Sequence, residues 1–226
     1  MSNVFIDIET IPEQPEAEAK TRIAETIKAP ATMSKPETIA QWHAGEGKYA
    51  GVKEAAIEKA YRDTSFDGSK GQICSIAWAV KDGGIQSIYQ DGSLTEADVL
   101  RGFFQELKSE LDGTEPYFIG HYLAGFDLKF IFHRCVVLGV KPEFSLPFAG
   151  RHKSDFYCTM QAWAGFKESI SQDNLCKALG IEGKPQGIDG SNVWDHFKDC
   201  DIQAISDYNM DDVDKVRQIY KRLNFL

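Results

Sequence analysis

The stretch Val4-Phe5-Ile6-Asp7-Ile8-Glu9-Thr10 reads as a β-strand that begins almost at the start of the chain and ends in two carboxylates. Side chains two apart on a strand share a face. Asp7 and Glu9 therefore project together with Phe5 on their side, while Val4, Ile6 and Ile8 enter the opposite layer. Two hard oxygen donors on one rigid element suit Mg²⁺ or Mn²⁺. A strand end with two solvated acids has the same pattern, so the rest of the chain must decide between the two.

Asp127 follows a short apolar strand at 117–119 and a glycine-containing loop, and it opens a helix in which Leu128, Ile131 and Phe132 recur at helical spacing. An aspartate there serves either the free backbone N–H groups and the helix dipole or a cation. The third acidic group is Tyr208-Asn209-Met210-Asp211-Asp212, inside a helical pattern over 201–223. Its buried stripe is Ile202, Ile205, Val213, Val216, Ile219 and Leu223, with Asp201 as N-cap and Lys215, Arg217, Lys221 and Arg222 toward the C-terminal end. Tyr208 and Asp212 are one turn apart and share a face. Asp212 borders the stripe, whereas Asp211 and Asp214 read as solvated charges.

Asp7-x-Glu9 on the first strand, Phe126-Asp127 opening a helix and Tyr208-x-x-x-Asp212 on a late helix together resemble the three motifs of the DEDD, or DnaQ-like, 3′–5′ exonucleases. The tyrosine is that of the DEDDy branch, and no histidine stands four or five residues before Asp212. Within that branch the chain is most similar to stand-alone, predicted polymerase-B-like exonucleases, phage and prophage members included. The resemblance implies an RNase H-like α/β fold, a central mixed sheet flanked by helices. It also implies two divalent ions, Mg²⁺ or Mn²⁺, that activate water and stabilise the leaving 3′-oxygen. In that scheme Asp7 bridges both ions, Glu9 and Asp212 complete the water-activating site, Asp127 supports the second ion, and Tyr208 orients the attacking water. A phenol with a pKa near ~10 is a poor base at neutral pH, so Tyr208 positions rather than abstracts. Without metal the clustered carboxylates repel one another and raise their own pKa values.

In the family the second motif reads Asn-x-x-x-Phe-Asp, and this chain carries Tyr122 at the Asn position. The change keeps the metal carboxylate and alters the surroundings of the 3′ end, where His121, Tyr122 and Phe126 are the candidate substrate contacts. Fold analogy alone makes Arg151 and Lys153 phosphate contacts. His121, His133, His152 and His196 match no metal-ligand spacing and read as exposed or hydrogen-bonded side chains. Asp155 resembles a structural aspartate of the family rather than a ligand.

Composition bounds the rest. At 226 residues, with 42% hydrophobic and 12% aromatic content, the chain can bury a full core, and one domain with an elaboration is expected. The N-terminus lacks the basic and apolar regions of a signal peptide, and no apolar run approaches the roughly 18 residues that span a bilayer. Five cysteines without a C-x-x-C pair point to reduced thiols in a cytoplasmic protein. A net charge of −9 argues against tight binding to long duplexes and fits a short single-stranded 3′ end.

The next strong strand is 72–80, so about sixty residues separate two strands that a short hairpin joins in the family's core. Prolines 12, 15, 30 and 36 punctuate this insertion, at about 12–71, and helices are expected at 35–43 and 52–61. It is either a packed structural flap or a clamp for single-stranded substrate, with Trp42 and Tyr49 stacking and Lys48 or Lys53 touching phosphate. Beyond it the reading gives a hairpin of 72–80 and 85–90, a helix at 95–111 capped by Thr95 or Ser93, and a short strand near 155–157. Two short helices fall within 159–179, and a Gly/Pro-rich loop at 180–190 is placed beside the substrate groove. The expected function is a metal-dependent 3′–5′ exonuclease on single-stranded nucleic acid, DNA by resemblance, releasing nucleoside 5′-monophosphates. The alternatives are an exoribonuclease on short RNA and a catalytically idle RNase H-like binding module.

Overall fold

The computed structural model describes residues 1–149, 155–183 and 187–226. Arg151, His152 and Lys153 lie outside them, as does the 184–186 part of the loop at 180–190. The chain divides into two compact units, one of residues 1–10 and 73–226 and the other of residues 11–72.

The larger unit is built on a mixed sheet of order β3-β2-β1-β4-β5, with β1 Ser2–Ile11, β2 Gln72–Val80, β3 Gln86–Tyr89, β4 Pro116–Gly120 and β5 Tyr157–Cys158. β1 runs parallel to β4, with Phe5 opposite Ile119, and β4 runs parallel to β5. β2 and β3 form the expected antiparallel hairpin across Lys81-Asp82-Gly83-Gly84. β2 lies beside β1 and runs antiparallel to it: the Lys81 N–H meets the Asn3 carbonyl near one end, and the Cys74 thiol meets the Glu9 carbonyl near the other.

Strand alternation sorts the core into two layers. Val4, Ile6, Ile8, Ile76 and Trp78 face α4 Glu96–Leu111 and α5 Asp127–Leu138, which contribute Leu100, Phe103, Phe104, Leu128 and Ile131. On the other face Phe5, Ala77, Ala79 and Ile119 meet Val213 and Val216 of α9 Ile202–Leu223. The two alanines of β2 are small, so the long helix packs close to the sheet. α4 starts with a capping box in which the Thr95 hydroxyl accepts from the Asp98 N–H and the Asp98 carboxylate accepts from the Thr95 N–H. A buried ion pair joins α4 to α5: Glu96 accepts from Arg134 at 2.7 and 2.8 Å and from the Ile73 N–H at 2.8 Å.

The remaining helices of this unit are α6 Thr159–Ala164, α7 Gln172–Leu179 and α8 Val193–Lys198. α8 has no counterpart in the sequence reading, because a single turn and a half carries too little periodicity to register. Asp201 precedes α9 but makes no side-chain cap; its carboxylate instead pairs with His196 at 3.0 Å. Asp211 and Asp214, expected in solvent, are half-buried and pair with Lys215 and Arg217.

The smaller unit carries α1 Glu16–Thr26, α2 Pro36–Ala44 and α3 Val52–Arg62. The last two match expectation, while α1 was not anticipated. It lacks a side-chain cap and buries only Ala19, so its sequence shows little apolar stripe. α1 packs on α3, with Lys20 bridging to Glu58 at 2.5 Å. Trp42 is fully buried and meets His43 edge-on, with ring centroids 4.9 Å apart. Trp42, a stacking candidate if the insertion is a clamp and an anchor if it is a packed flap, has no exposed face in this unit. Tyr49 is likewise buried, with the Lys48 ammonium over its ring.

Candidate active site

Three carboxylates converge at the end of β1. One oxygen from each of Asp7, Glu9 and Asp212 lies within 4.8 Å of the others. The two-residue spacing on β1 supplies the first pair, and the close packing of α9 on the sheet brings the third. Asp212 is 4% exposed, which removes it from solvent that would otherwise screen its charge.

Asp127 is the first residue of α5 and is 2% exposed. Its carboxylate accepts from its own N–H and from the N–H of Ile8, which ties it to the strand of Asp7 and Glu9. Burial, with the Asp212 charge adding to it, pushes its pKa up to about 7 despite those two hydrogen bonds. Among the described residues it stands outside the group of three whose oxygens converge.

Tyr208 is 3% exposed and hydrogen-bonds to Asp212, one turn along α9. Burial first, and then the charges of Glu9, Asp212 and Asp7, hold its phenol well above the ordinary value of 10. It is therefore a neutral hydrogen-bond donor throughout the physiological range.

Two amides hold this cluster, and neither was singled out from the sequence. Asn209 Nδ2 donates to Asp7 Oδ2 at 2.7 Å, and Gln172 Nε2 donates to Asp212 Oδ1 at 3.0 Å. Asn209 has a legible signal: it lies four residues from both Ile205 and Val213, a polar residue on the apolar stripe of its helix. Gln172 has none, since it arrives from α7, 40 residues away in the chain.

The loop between β4 and α5 carries the remaining candidates. His121 uses both ring nitrogens inside the protein, at 2.9 Å from Thr159 Oγ1 and 2.8 Å from the Ile170 carbonyl, and so ties β4 to the segments around α6 and α7. Tyr122 is 50% exposed and has a left-handed backbone, φ 57°. Its ring lies over Gly125, where a Cβ would come within 2.4 Å of it, so any larger residue there would push the ring aside. Phe126 is half-buried and packs against Phe130, with ring centroids 5.5 Å apart. Beside Tyr208 a cleft of about 630 Å³ opens between α7 and the 187–190 segment, so the described part of the predicted loop does border a groove.

A mixed five-stranded sheet flanked by helices, with acids gathered where β1 meets α9, defines an RNase H-like nuclease architecture. The family model of predicted 3′–5′ exonucleases related to the exonuclease domain of PolB matches residues 70–226, and the chain belongs to that family. The match contains Asp127, Tyr208 and Asp212, and the fold brings Asp7 and Glu9 to Asp212. The structure of the family B DNA polymerase from the hyperthermophilic archaeon Pyrobaculum calidifontis is similar in fold, with a TM-score of 0.58 at 14% identity over 99% of this chain. The chain spans 24% of that polymerase. No curated protein sequence matches it. No described helix is long and apolar enough to cross a membrane.

Proposed function

We propose that the protein is a DEDDy-type exonuclease that hydrolyses phosphodiester bonds from the 3′ end of single-stranded DNA and releases nucleoside 5′-monophosphates by a two-metal reaction. The observation that carries this reading is the convergence of Asp7, Glu9 and Asp212 within 4.8 Å, with Tyr208 bonded to Asp212. The donor set fits hard divalent cations, Mg²⁺ or Mn²⁺, because it is all carboxylate oxygen and contains no thiolate or imidazole. Divalent ions held there would make water nucleophilic near neutral pH and offset the charge that develops on the leaving 3′-oxygen.

Within that site Asp7, Glu9 and Asp212 are the ligands. Asp127 is a fourth acid that is only partly ionised near neutral pH, and a nearby cation would favour its charged form. Tyr208 remains protonated; with its O–H given to Asp212, its oxygen is left to accept from the reacting water and orient it. Tyr122 and Phe126 face the 3′-terminal nucleotide, and His121 acts by holding their loop to α6. The segment at 12–71, which lies within the compact unit of residues 11–72, is read as an insertion in the exonuclease domain. Cysteines 74, 135, 158, 176 and 200 are thiols rather than disulfides, and a reducing, cytoplasmic setting fits them.

The test is incubation of the protein with 5′-labelled single-stranded DNA and with RNA of the same sequence, in Mg²⁺ or Mn²⁺. EDTA, Asp7→Ala and Asp212→Ala serve as controls. A descending ladder on DNA that vanishes in all three controls is expected. Faster RNA degradation would replace DNA with an exoribonuclease substrate. Binding of either strand without cleavage, by folded and metal-loaded protein, would leave only a nucleic-acid-binding module.

A further inference from the structure

Asn209 is fully buried in the apolar stripe of α9, where an amide is costly unless its hydrogen bonds are made. They are made, and in one direction. A carboxylate cannot donate, so the NH₂ group must face Asp7 at 2.7 Å, which leaves Oδ1 to accept from the Ser75 hydroxyl at 3.1 Å. Ser87 Oγ lies 3.5 Å beyond Ser75, at the outer limit of a hydrogen bond, and accepts from Ser206 Oγ at 2.9 Å. Every hydroxyl in this row can point one step toward Asp7. Aligned donors that end on an anion reinforce one another in a buried setting.

Gln172 repeats the arrangement on the other side of the cluster. Its Nε2 donates to Asp212 Oδ1 at 3.0 Å and to the Asp212 carbonyl at 3.1 Å, which locks side chain and backbone of that acid together. Two of the three converging carboxylates are thus each gripped by a neutral amide from a residue that is not itself a ligand. The neutrality matters. A lysine or arginine would hold a carboxylate equally well but would also cancel the charge a cation has to meet, whereas an amide orients the oxygen and leaves the full negative charge in place.

We propose that Asn209, anchored by Ser75, and Gln172 are positioning residues of the carboxylate cluster, holding Asp7 and Asp212 in the convergent arrangement that receives a divalent cation. This rests on the metal-dependent reading of the site.

The experiment titrates the full chain with Mn²⁺ by calorimetry and records the melting temperature in EDTA and in Mn²⁺, for wild type, Asn209→Leu, Gln172→Leu and Asp7→Ala. Each amide variant should bind Mn²⁺ about 10–100-fold more weakly, the usual effect of losing a partner behind a metal ligand. Both should still unfold cooperatively in EDTA and gain less from a fixed Mn²⁺ concentration. Exonuclease rate should recover at saturating Mn²⁺, so that the metal requirement rises while kcat is retained. Should Asn209→Leu fail to fold, Ser75→Ala removes only the anchor and should weaken Mn²⁺ binding in the same direction by a few-fold, ~3-fold or more. Folded amide variants that bind Mn²⁺ as wild type does, with a lower melting temperature in EDTA, would reduce both residues to structural packing and overturn the proposal. Loss of binding in Asp7→Ala alone would at the same time keep the metal reading intact. Absence of saturable Mn²⁺ binding by wild type would overturn the metal reading and this proposal with it.

Discussion

The backbone N–H of Ile8 donates to the carboxylate of Asp127, so the strand that presents Asp7 and Glu9 also grips the acid at the start of α5. Even so, burial dominates and lifts the Asp127 pKa to about 7, against roughly 3.9 in an unfolded chain. A raised folded-state pKa contributes stability that is complete below about pH 4 and is lost as pH rises through about 7. In EDTA, wild-type stability relative to Asp127→Asn should therefore fall across that window, by up to about 1.4 kcal/mol per pH unit. Urea unfolding at pH 4, 5.5, 7 and 8 measures the difference. Parallel curves for the two proteins would show that Asp127 ionises normally.

Asp7, Glu9 and Asp212 repel one another when no cation lies between them. Removing one charge should relieve that repulsion. Asp7→Asn is expected to melt higher than wild type in EDTA, while wild type alone gains from Mn²⁺, by about 2.7 kcal/mol at a hundredfold excess over its Kd. An equal Mn²⁺ increment in both proteins would place the cation elsewhere.

The phenol of Tyr208 stays protonated because it is buried among acids. Tyr208→Phe should lower kcat about 10–100-fold through lost orientation while leaving Mn²⁺ affinity unchanged. The wild-type rate should show no rise toward pH 10 attributable to this group. A rate that climbs with an alkaline pKa present in wild type and absent from Tyr208→Phe would instead make the tyrosine a base.

Tyr122 presents a half-exposed ring in the loop that leads into α5. Stacking on a base is worth about 1–3 kcal/mol, so Tyr122→Ala should raise KM for single-stranded DNA about tenfold with kcat and Mn²⁺ binding little changed. Unaltered KM would remove Tyr122 from the substrate site.

Glu96 and Arg134 form a buried pair that also receives the Ile73 N–H at the start of the returning β2 strand. Arg134→Met strands the Glu96 charge in the core and should cost about 3–5 kcal/mol in urea unfolding. A loss below about 1 kcal/mol, the range of exposed pairs, would show that the pair is solvated.

Much of the fold was legible because it is written in short-range periodicity. Alternation along 4–10 separates Val4, Ile6 and Ile8 from Phe5, and the two sets do enter different core layers. The stripe of α9 buries Ile205, Val213, Val216 and Ile219. Elements with weak periodicity escaped: α1 buries a single alanine, and α8 is six residues long. Trp42 left two readings open for a related reason, since a lone aromatic in a polar segment has the same sequence signature whether it stacks on a ligand or fills a small core.

By itself the sequence determined the strand with two acids on one face, the aspartate opening α5, and the tyrosine and aspartate one turn apart on α9, because each is a relation among neighbours that backbone geometry imposes. Only the tertiary structure decided that these acids meet, and what holds them. Asn209 reaches Asp7 across 202 residues of chain and Gln172 reaches Asp212 across 40. Those contacts exist because α9 packs closely on Ala77 and Ala79, and because α7 packs against α9. Which polar groups face one another after such packing is a property of the assembled layers, and no local spacing encodes it.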